Sequence, residues 1–252
     1  MATCITGKNE RNYQDFVALV EQVNANLAGQ IDFAVLPGDN ADDGTSEQFR
    51  VVHDELSRLI APWHAIPGDH DFKPRSLDNF YRGLHVRSLP YVDEISGCRC
   101  AFLDVVSRGT GGPDFRLGAA RLVWLRGQLD AAKRDGKTAV VFMHAYPADL
   151  GEEAVEIAAM IDESPVALVS MGHTHYNEIS NDGRTIYAAT RSTGQIEEGP
   201  VGFLCGGYRP RYRQLALQAA RRRLAVRSDH FARGSSAHHK SRRSRPGRAR
   251  PS

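Results

Sequence analysis

Four short motifs of this chain carry a carboxylate or a histidine, and three of them also contain glycine. They are GDNADDG at 38–44, GDHD at 68–71, HAYP at 144–147 and GHTH at 172–175. Carboxylates and imidazoles without thiolates form a ligand set that suits divalent ions such as Mn²⁺, Fe²⁺ or Zn²⁺. The glycines before Asp39, Asp69 and His173 allow the backbone to turn sharply toward such an ion. The motifs therefore predict a metal site.

Each motif follows an apolar run that is typical of a buried strand. The runs are FAVLP at 33–37, WHAIP at 63–67, TAVVFM at 138–143 and VALVSM at 166–171. Apolar residues at helical spacing predict helices from about residue 12 and at 46–60, 119–135 and 150–162, and further strands are expected at 99–106 and 184–190. Alternating strands and helices predict an α/β sheet covered by helices, with ligands bound at the carboxyl ends of its strands. The four motifs should therefore converge on one crevice.

The order of these motifs resembles that of the calcineurin-like metallophosphoesterase superfamily, and within it the branch of cyclic-nucleotide (cAMP) phosphodiesterases. The resemblance runs from about Asn12 to Phe203. It implies an α/β fold in which a layered β-sandwich is flanked by helices. It also implies a hydrolase that attacks a small phosphoester, for example a cyclic nucleotide, with a metal-activated hydroxide.

The same resemblance assigns metal ligands. It implies that Asp39 bridges two divalent ions (Mn, Fe or Zn) and that Asp69, His144 and His173 complete the site of one of them. His175 would belong to the other ion, so the two histidines of GHTH would serve different metals.

Two further residues acquire catalytic roles by resemblance. His70 would protonate the leaving alkoxide or steady the phosphate, and Asp71 would orient the ring of His70. Asp42 and Asp43, by contrast, fit a turn or a helix cap, because aspartate favours both.

The chain departs from the family pattern in three places. Family members begin with a strand that ends in D-x-H, whereas the first histidine here is His53, so the first strand and two ligands of one metal are expected to be missing. Asp69 replaces the usual asparagine, and the match stops after GPVGF at 199–203. Either a truncated or frameshifted reading frame or a genuine variant would explain these three departures. The alternative function is an impaired member that binds one metal or none and acts at most as a binding module.

Charge divides the chain into two regions. Residues 1–207 hold 18 Lys and Arg against 29 Asp and Glu, whereas residues 208–252 hold 14 against 1. We predict a metallophosphoesterase-like domain at 1–205 and an Arg-rich extension at 206–252 that is partly helical and then disordered, because it has few apolar residues to bury. The extension is either a solvated tail without a partner or a weak, nonspecific contact for nucleic acid.

Composition sets the remaining expectations. With 41% hydrophobic residues, no run of about 20 apolar residues and no secretory signal, the chain is expected to be cytoplasmic, with no membrane contact. Homodimer formation is left open. His53, His64 and His85 lie outside the motifs and are expected to be structural, although the segment that holds His85 could border the substrate.

Overall fold

The computed structural model describes residues 11–191, 204–209 and 214–219. Its α-helices are α1 (Arg11–Leu27), α2 (Ser46–Leu56), α3 (Asp78–Leu84), α4 (Ala119–Arg134) and α5 (Ala154–Asp162). Its strands are β1 (Ala34–Pro37), β2 (Trp63–Ile66), β3 (Tyr91–Ile95), β4 (Cys98–Phe102), β5 (Thr138–Phe142), β6 (Val166–Met171), β7 (Glu178–Asn181), β8 (Ile186–Ala189), β9 (Leu204–Arg209) and β10 (Gln214–Ala219).

Two sheets contribute to one hydrophobic core. β1 pairs in parallel with β2, and a six-stranded sheet has the order β3-β4-β5-β6-β8-β7. Its inner strands are parallel, whereas β3 and β7 are antiparallel edges. Phe33, next to β1, packs edge-on against Phe102 of β4 and Phe142 of β5, which joins the smaller sheet to the larger one. The predicted α/β class, with a central sheet and flanking helices, is confirmed.

Helix α2 illustrates how local sequence sets an element. Thr45 and Gln48 form a capping box, and the buried side chains of Phe49, Val52 and Leu56 face the core. A capping box satisfies two backbone N–H groups that the first turn leaves without partners. The helix therefore begins at Ser46 as predicted, but it ends at Leu56 rather than at residue 60.

Other boundaries also differ from the prediction, and one α-helix and two strands within residues 11–191 were not predicted. Strand β4 ends at Phe102 instead of 106, because the Asp104 carboxylate accepts hydrogen bonds from the backbone N–H groups of Val106 and Ser107 and curls the chain there. Helix α3 is too short to show a clear hydrophobic period, and the edge strands β3 and β7 contain no fully buried residue, so they lack the apolar run that indicated the other strands.

The predicted extension differs from expectation where it is described. Strands β9 and β10 pair antiparallel, so residues 206–209 and 214–219 of the predicted extension form strands, and any helical part of it lies outside the described residues. Pairing gives the backbone of each strand its hydrogen-bond partners without a helix. The chain divides into one unit, Met1–Arg222, and a second, Arg223–Ser252, which lies wholly outside the described residues, as does the predicted disorder. The boundary predicted after residue 205 falls inside β9.

No helix in the described ranges is long and apolar enough to cross a membrane.

Candidate metal centre

Four of the predicted ligands meet at the carboxyl ends of four strands. Asp39 follows β1, Asp69 follows β2, His144 follows β5 and His173 follows β6. One ligand atom from each lies within 4.8 Å of the others. Parallel strands deliver their following loops to the same edge of their sheet, and these two edges, of the β1-β2 sheet and of the six-stranded sheet, meet at the site.

The spacing of the ligand atoms fits a shared divalent ion. His144 Nε2 lies 3.1 Å from Asp69 Oδ1 and 3.4 Å from Asp39 Oδ1, and His173 Nδ1 lies 3.4 Å from Asp69 Oδ1. Ligand atoms about 2.0–2.2 Å from an ion in tetrahedral geometry are about 3.3–3.6 Å apart. The oxygen and nitrogen donors also match the metals expected from the sequence.

A backbone carbonyl group determines which ring nitrogen of His144 faces the other ligands. Its Nδ1 donates a hydrogen bond of 2.7 Å to the carbonyl oxygen of Pro37, the last residue of β1. That bond leaves Nε2 facing the two carboxylates, where its N–H donates to Asp69 Oδ1 at 3.1 Å and where an ion would take the place of the proton. The ligand is therefore oriented before any ion binds.

Glycines leave room for the site. A Cβ atom on Gly38 would lie 2.0 Å from His144 Nδ1, and one on Gly68 would lie 2.1 Å from Asp39 Oδ1. Because these contacts are far shorter than a van der Waals separation, only glycine fits at either position. The motif glycines act here by close approach as well as by turning the chain.

The backbone is strained at three site residues. Asp39, His173 and His175 have φ values of 53°, 63° and 59°, a region that residues with a side chain seldom adopt. Strained conformations of this kind concentrate at functional sites, where the surrounding structure holds them.

The electrostatics of the cluster favour a cation. Burial disfavours the charged form of His144, yet the carboxylates of Asp39 and Asp69 outweigh burial and raise its pKa to about 9. Burial alone would raise the pKa of Asp69, but His144 and His173 lower it well below its usual range. The carboxylates thus create a negative potential at the place where the four ligand atoms meet.

The hydrogen bonds of Asp71 go to the loops around it and not to the ring of His70. It is fully buried, and its carboxylate accepts hydrogen bonds from the backbone N–H groups of Asn40, Ala41 and Gly68 and from the Asn40 side chain. Burial, followed by the charge of Asp39, raises the pKa of Asp71 to about 7. Asp71 therefore braces the two loops that follow β1 and β2, and its described bonds do not reach the ring of His70.

Asp42 holds the ring of His70 instead. Nδ1 of His70 lies 2.9 Å from Asp42 Oδ1 and 3.0 Å from the Asp42 carbonyl oxygen. Both partners are acceptors, so Nδ1 carries the hydrogen and Nε2 is the ring nitrogen left for other contacts. The backbone N–H of His70 donates to Asp39 Oδ1 at 3.1 Å, which ties this histidine to the metal ligands.

His175 lies outside the group of four ligands. It is half-buried, and burial lowers its pKa, although the charge of Asp39 acts in the opposite direction. Its assignment to a second metal stays a prediction.

Phe115 was not anticipated by the sequence. Its buried ring contacts His173 and His144 edge-on, with centroid distances of 4.8 and 5.7 Å. It lies in a loop without a regular period, so no sequence pattern indicated it. Phe115 forms an apolar wall that limits the rotation of both imidazoles.

These features define a member of a known class of enzymes. The sequence pattern of the family described as calcineurin-like phosphoesterase matches residues 6–177. The chain belongs to this family, and the family and its relatives are phosphoester hydrolases that use divalent metals.

Two relatives and one solved structure show what kinds of protein this chain is similar to. A probable glycerophosphodiester phosphodiesterase of Arcobacter nitrofigilis is 29% identical over 137 residues, 52% of this chain and 48% of the relative, so the chain spans about half its length. The 3',5'-cyclic adenosine monophosphate phosphodiesterase of Escherichia coli K12 is 24% identical over 220 residues, 82% of this chain and 77% of the relative. A dimetal phosphatase from Danio rerio shares the fold, with a TM-score of 0.57 at 14% identity over 72% of this chain and 79% of that structure.

Proposed function

We propose that this chain is a metal-dependent phosphodiesterase that acts on a small phosphodiester, with a cyclic nucleotide or a glycerophosphodiester as the first substrates to test. The observation that carries the proposal is the convergence of Asp39, Asp69, His144 and His173 within 4.8 Å. The two relatives named as phosphodiesterases support the choice of substrate class.

The residues of the chain have separate tasks in this proposal. A divalent ion, when bound, would polarise the phosphoester and lower the pKa of a water molecule. Asp39, Asp69, His144 and His173 hold the ion. Asp42 holds Nδ1 of His70, so a protonated His70 would give the proton on Nε2 to the leaving oxygen and become the neutral imidazole with its hydrogen on Nδ1. Asp71 holds together the two loops that carry Asp39 and His70 through its hydrogen bonds to their backbone.

The alternative is an impaired family member with one metal or none. One observation favours it: among the described residues one group of converging ligands is assembled, and His175 is not part of it. Placement in the cytoplasm, a homodimer and contact of the basic extension with nucleic acid stay predictions from the sequence.

Metal content and turnover, measured on the same samples, separate the two proposals. Purified full-length chain is loaded with Mn²⁺, its metal is counted by elemental analysis, and hydrolysis of bis(p-nitrophenyl) phosphate, cyclic AMP and a glycerophosphodiester is followed. Asp39→Asn should abolish turnover and metal retention, because it removes the charge of a ligand, whereas Asp93→Asn, the same change at a residue on β3, should leave both unchanged. Bound metal without turnover of any of the three esters would support the binding module and contradict the enzyme.

A further inference from the structure

A second cavity lies away from the metal centre. It measures about 290 Å³ and is lined mainly by His53, Trp63, His64, His85, Arg87 and Tyr91. We call it the histidine-lined cavity. Trp63 begins β2, whereas Asp69 follows the end of that strand, so the two sites are separated along β2 by about 3.3 Å per residue.

One wall of this cavity is held rigid by stacked rings. His64 and Tyr91 both stack on Phe102, with centroid distances of 4.4 and 4.8 Å, and Phe102 stacks on Phe142 at 4.7 Å. His64 Nδ1 and the Tyr91 hydroxyl are 3.0 Å apart and hydrogen-bonded. A preformed aromatic surface favours a flat ligand, because little side-chain freedom is lost on binding.

The other wall presents ring nitrogens. His53 and His85 meet with centroids 4.8 Å apart, and His53 meets Trp63 at 6.3 Å. Within the described part of the chain, no hydrogen bond is found for the ring nitrogens of His53, His85 or Trp63. A ligand whose edge carries both donors and acceptors would satisfy such groups.

The charges that line the cavity cancel. Arg87 lies over the Tyr91 ring at 3.8 Å and pairs with Asp93 at 3.1 Å. Burial lowers the pKa of His64, which keeps this imidazole neutral near pH 7. A lining without net charge favours a neutral ligand over a phosphate or a cation.

This cavity is less suited to a metal ion or to a docked protein segment than to a small neutral molecule. The converging ligand group found among the described residues contains none of the three histidines. The volume of about 290 Å³ is at the lower end of small-molecule sites and too small for a protein segment.

We propose that the histidine-lined cavity binds a neutral heteroaromatic ring of the nucleobase or nucleoside type. The ring would lie against His64 and the Arg87 guanidinium that covers Tyr91, and its polar edge would bond to His53, His85 and Trp63. This site does not depend on the proposed hydrolase function, because it shares no residue with the metal centre.

Fluorescence of Trp63 provides a direct test. The chain has two tryptophans, so Trp124→Phe leaves Trp63 as the single reporter. Adenosine, guanosine, cytidine and uridine are titrated, with ribose as a control that lacks the ring, and saturation-transfer NMR detects binding independently of fluorescence. At least one nucleoside should bind with a Kd on the order of 0.1 mM, whereas ribose should not bind.

Two matched variants separate the sites. His85 and His173 both have a left-handed backbone, with φ of 54° and 63°, and asparagine tolerates that conformation. In the Trp124→Phe background, His85→Asn should weaken nucleoside binding about tenfold and leave Mn²⁺ binding unchanged. His173→Asn should weaken Mn²⁺ binding and leave nucleoside binding unchanged.

Either of two results overturns the proposal. The first is that all four nucleosides fail to bind by both methods at up to roughly 10 mM, a concentration far above the affinity expected for a ligand of this size. The second is that nucleoside binding is lost in His173→Asn but kept in His85→Asn, which would place the ligand at the metal centre. Circular dichroism of each variant confirms that the chain is folded.

Discussion

Two groups of histidines in this protein have opposite surroundings. At the metal centre, His144 and His173 face the carboxylate of Asp69, with nitrogen–oxygen distances of 3.1 and 3.4 Å. In the histidine-lined cavity, His53 and His85 face each other, and His64 faces the rings of Tyr91 and Phe102. The same side chain is therefore a metal ligand in one place and a wall of a neutral cavity in the other.

The pKa shifts express this difference. Carboxylates raise the pKa of His144 to about 9 although it is buried, whereas burial lowers the pKa of His64, whose neighbours Asp93 and Arg87 oppose each other. Neighbouring charge decides which effect dominates. A histidine in a sequence thus says little about chemistry until its partners are known.

The largest expected effect comes from removing a histidine at one site and comparing it with the other. His144→Ala should weaken binding of Mn²⁺ or Zn²⁺ by roughly a hundredfold or more, because it removes a ligand and leaves two carboxylates facing each other. His64→Ala should leave metal affinity unchanged. Equilibrium dialysis with elemental analysis measures both, and equal losses in the two variants would show that the sites are not independent.

A glycine pair should give the next largest effect. Gly68→Ala places a Cβ atom 2.1 Å from Asp39 Oδ1 and 2.4 Å from Asp39 N, so the loop must shift and metal affinity should fall by about tenfold to a hundredfold. The control is Gly127→Ala in α4, where nothing lies within 4 Å of the added atom. That change should stabilise the helix by about 0.5–1 kcal/mol. Metal titrations and urea unfolding of both variants test the prediction; unchanged affinity in Gly68→Ala would contradict it.

A pair of phenylalanines should give a moderate effect. Phe115→Leu removes the ring beside His144 and His173 and should weaken metal binding by about tenfold. Phe102→Leu disrupts the stack beneath the histidine-lined cavity and should cost about 1–2 kcal/mol of unfolding free energy without changing metal affinity. Calorimetric titration and chemical unfolding distinguish the outcomes, and a Phe115 variant with full metal affinity would reduce that residue to packing alone.

The smallest effect concerns the pH dependence of stability. The folded pKa of His64 is lowered, so below about pH 6.5 the unfolded chain binds the extra proton more readily and stability falls as pH decreases. The groups facing the ring are Asp93, Arg87 and Tyr91. His64→Phe should flatten this acid-side decline in the free energy of unfolding, measured by urea at several pH values in chelator. An unchanged decline would show that other groups account for it.

The sequence predicted the parts of the site that depend on strand ends. Asp39, Asp69, His144 and His173 each follow an apolar run, and parallel pairing brings the two positions of each sheet together, while packing of the two sheets joins the pairs. The fold class followed from the same alternation. The assembly of these four ligands is therefore a consequence of local pattern and topology.

Details that depend on the path of a loop were not predictable. Asp42 and Asp71 are both near His70 in sequence or space, and only the observed backbone shows that Asp42 reaches the ring while Asp71 is buried beneath the loops. Phe115 has no neighbouring motif. The contact between His53 and His85 joins the last turn of α2 to the residue after α3, which no short spacing encodes.

The hydrogen bond from His144 to the carbonyl of Pro37 has a consequence for the order of assembly. His144 follows a strand of the large sheet, and Pro37 ends a strand of the small one, so the bond crosses from one sheet to the other. Asp39 and Asp69 come from the small sheet, and His144 and His173 from the large one. The complete ligand set exists only after the sheets have docked, so ion binding should be a late event in folding. The time course of ion binding should therefore report when the two sheets dock.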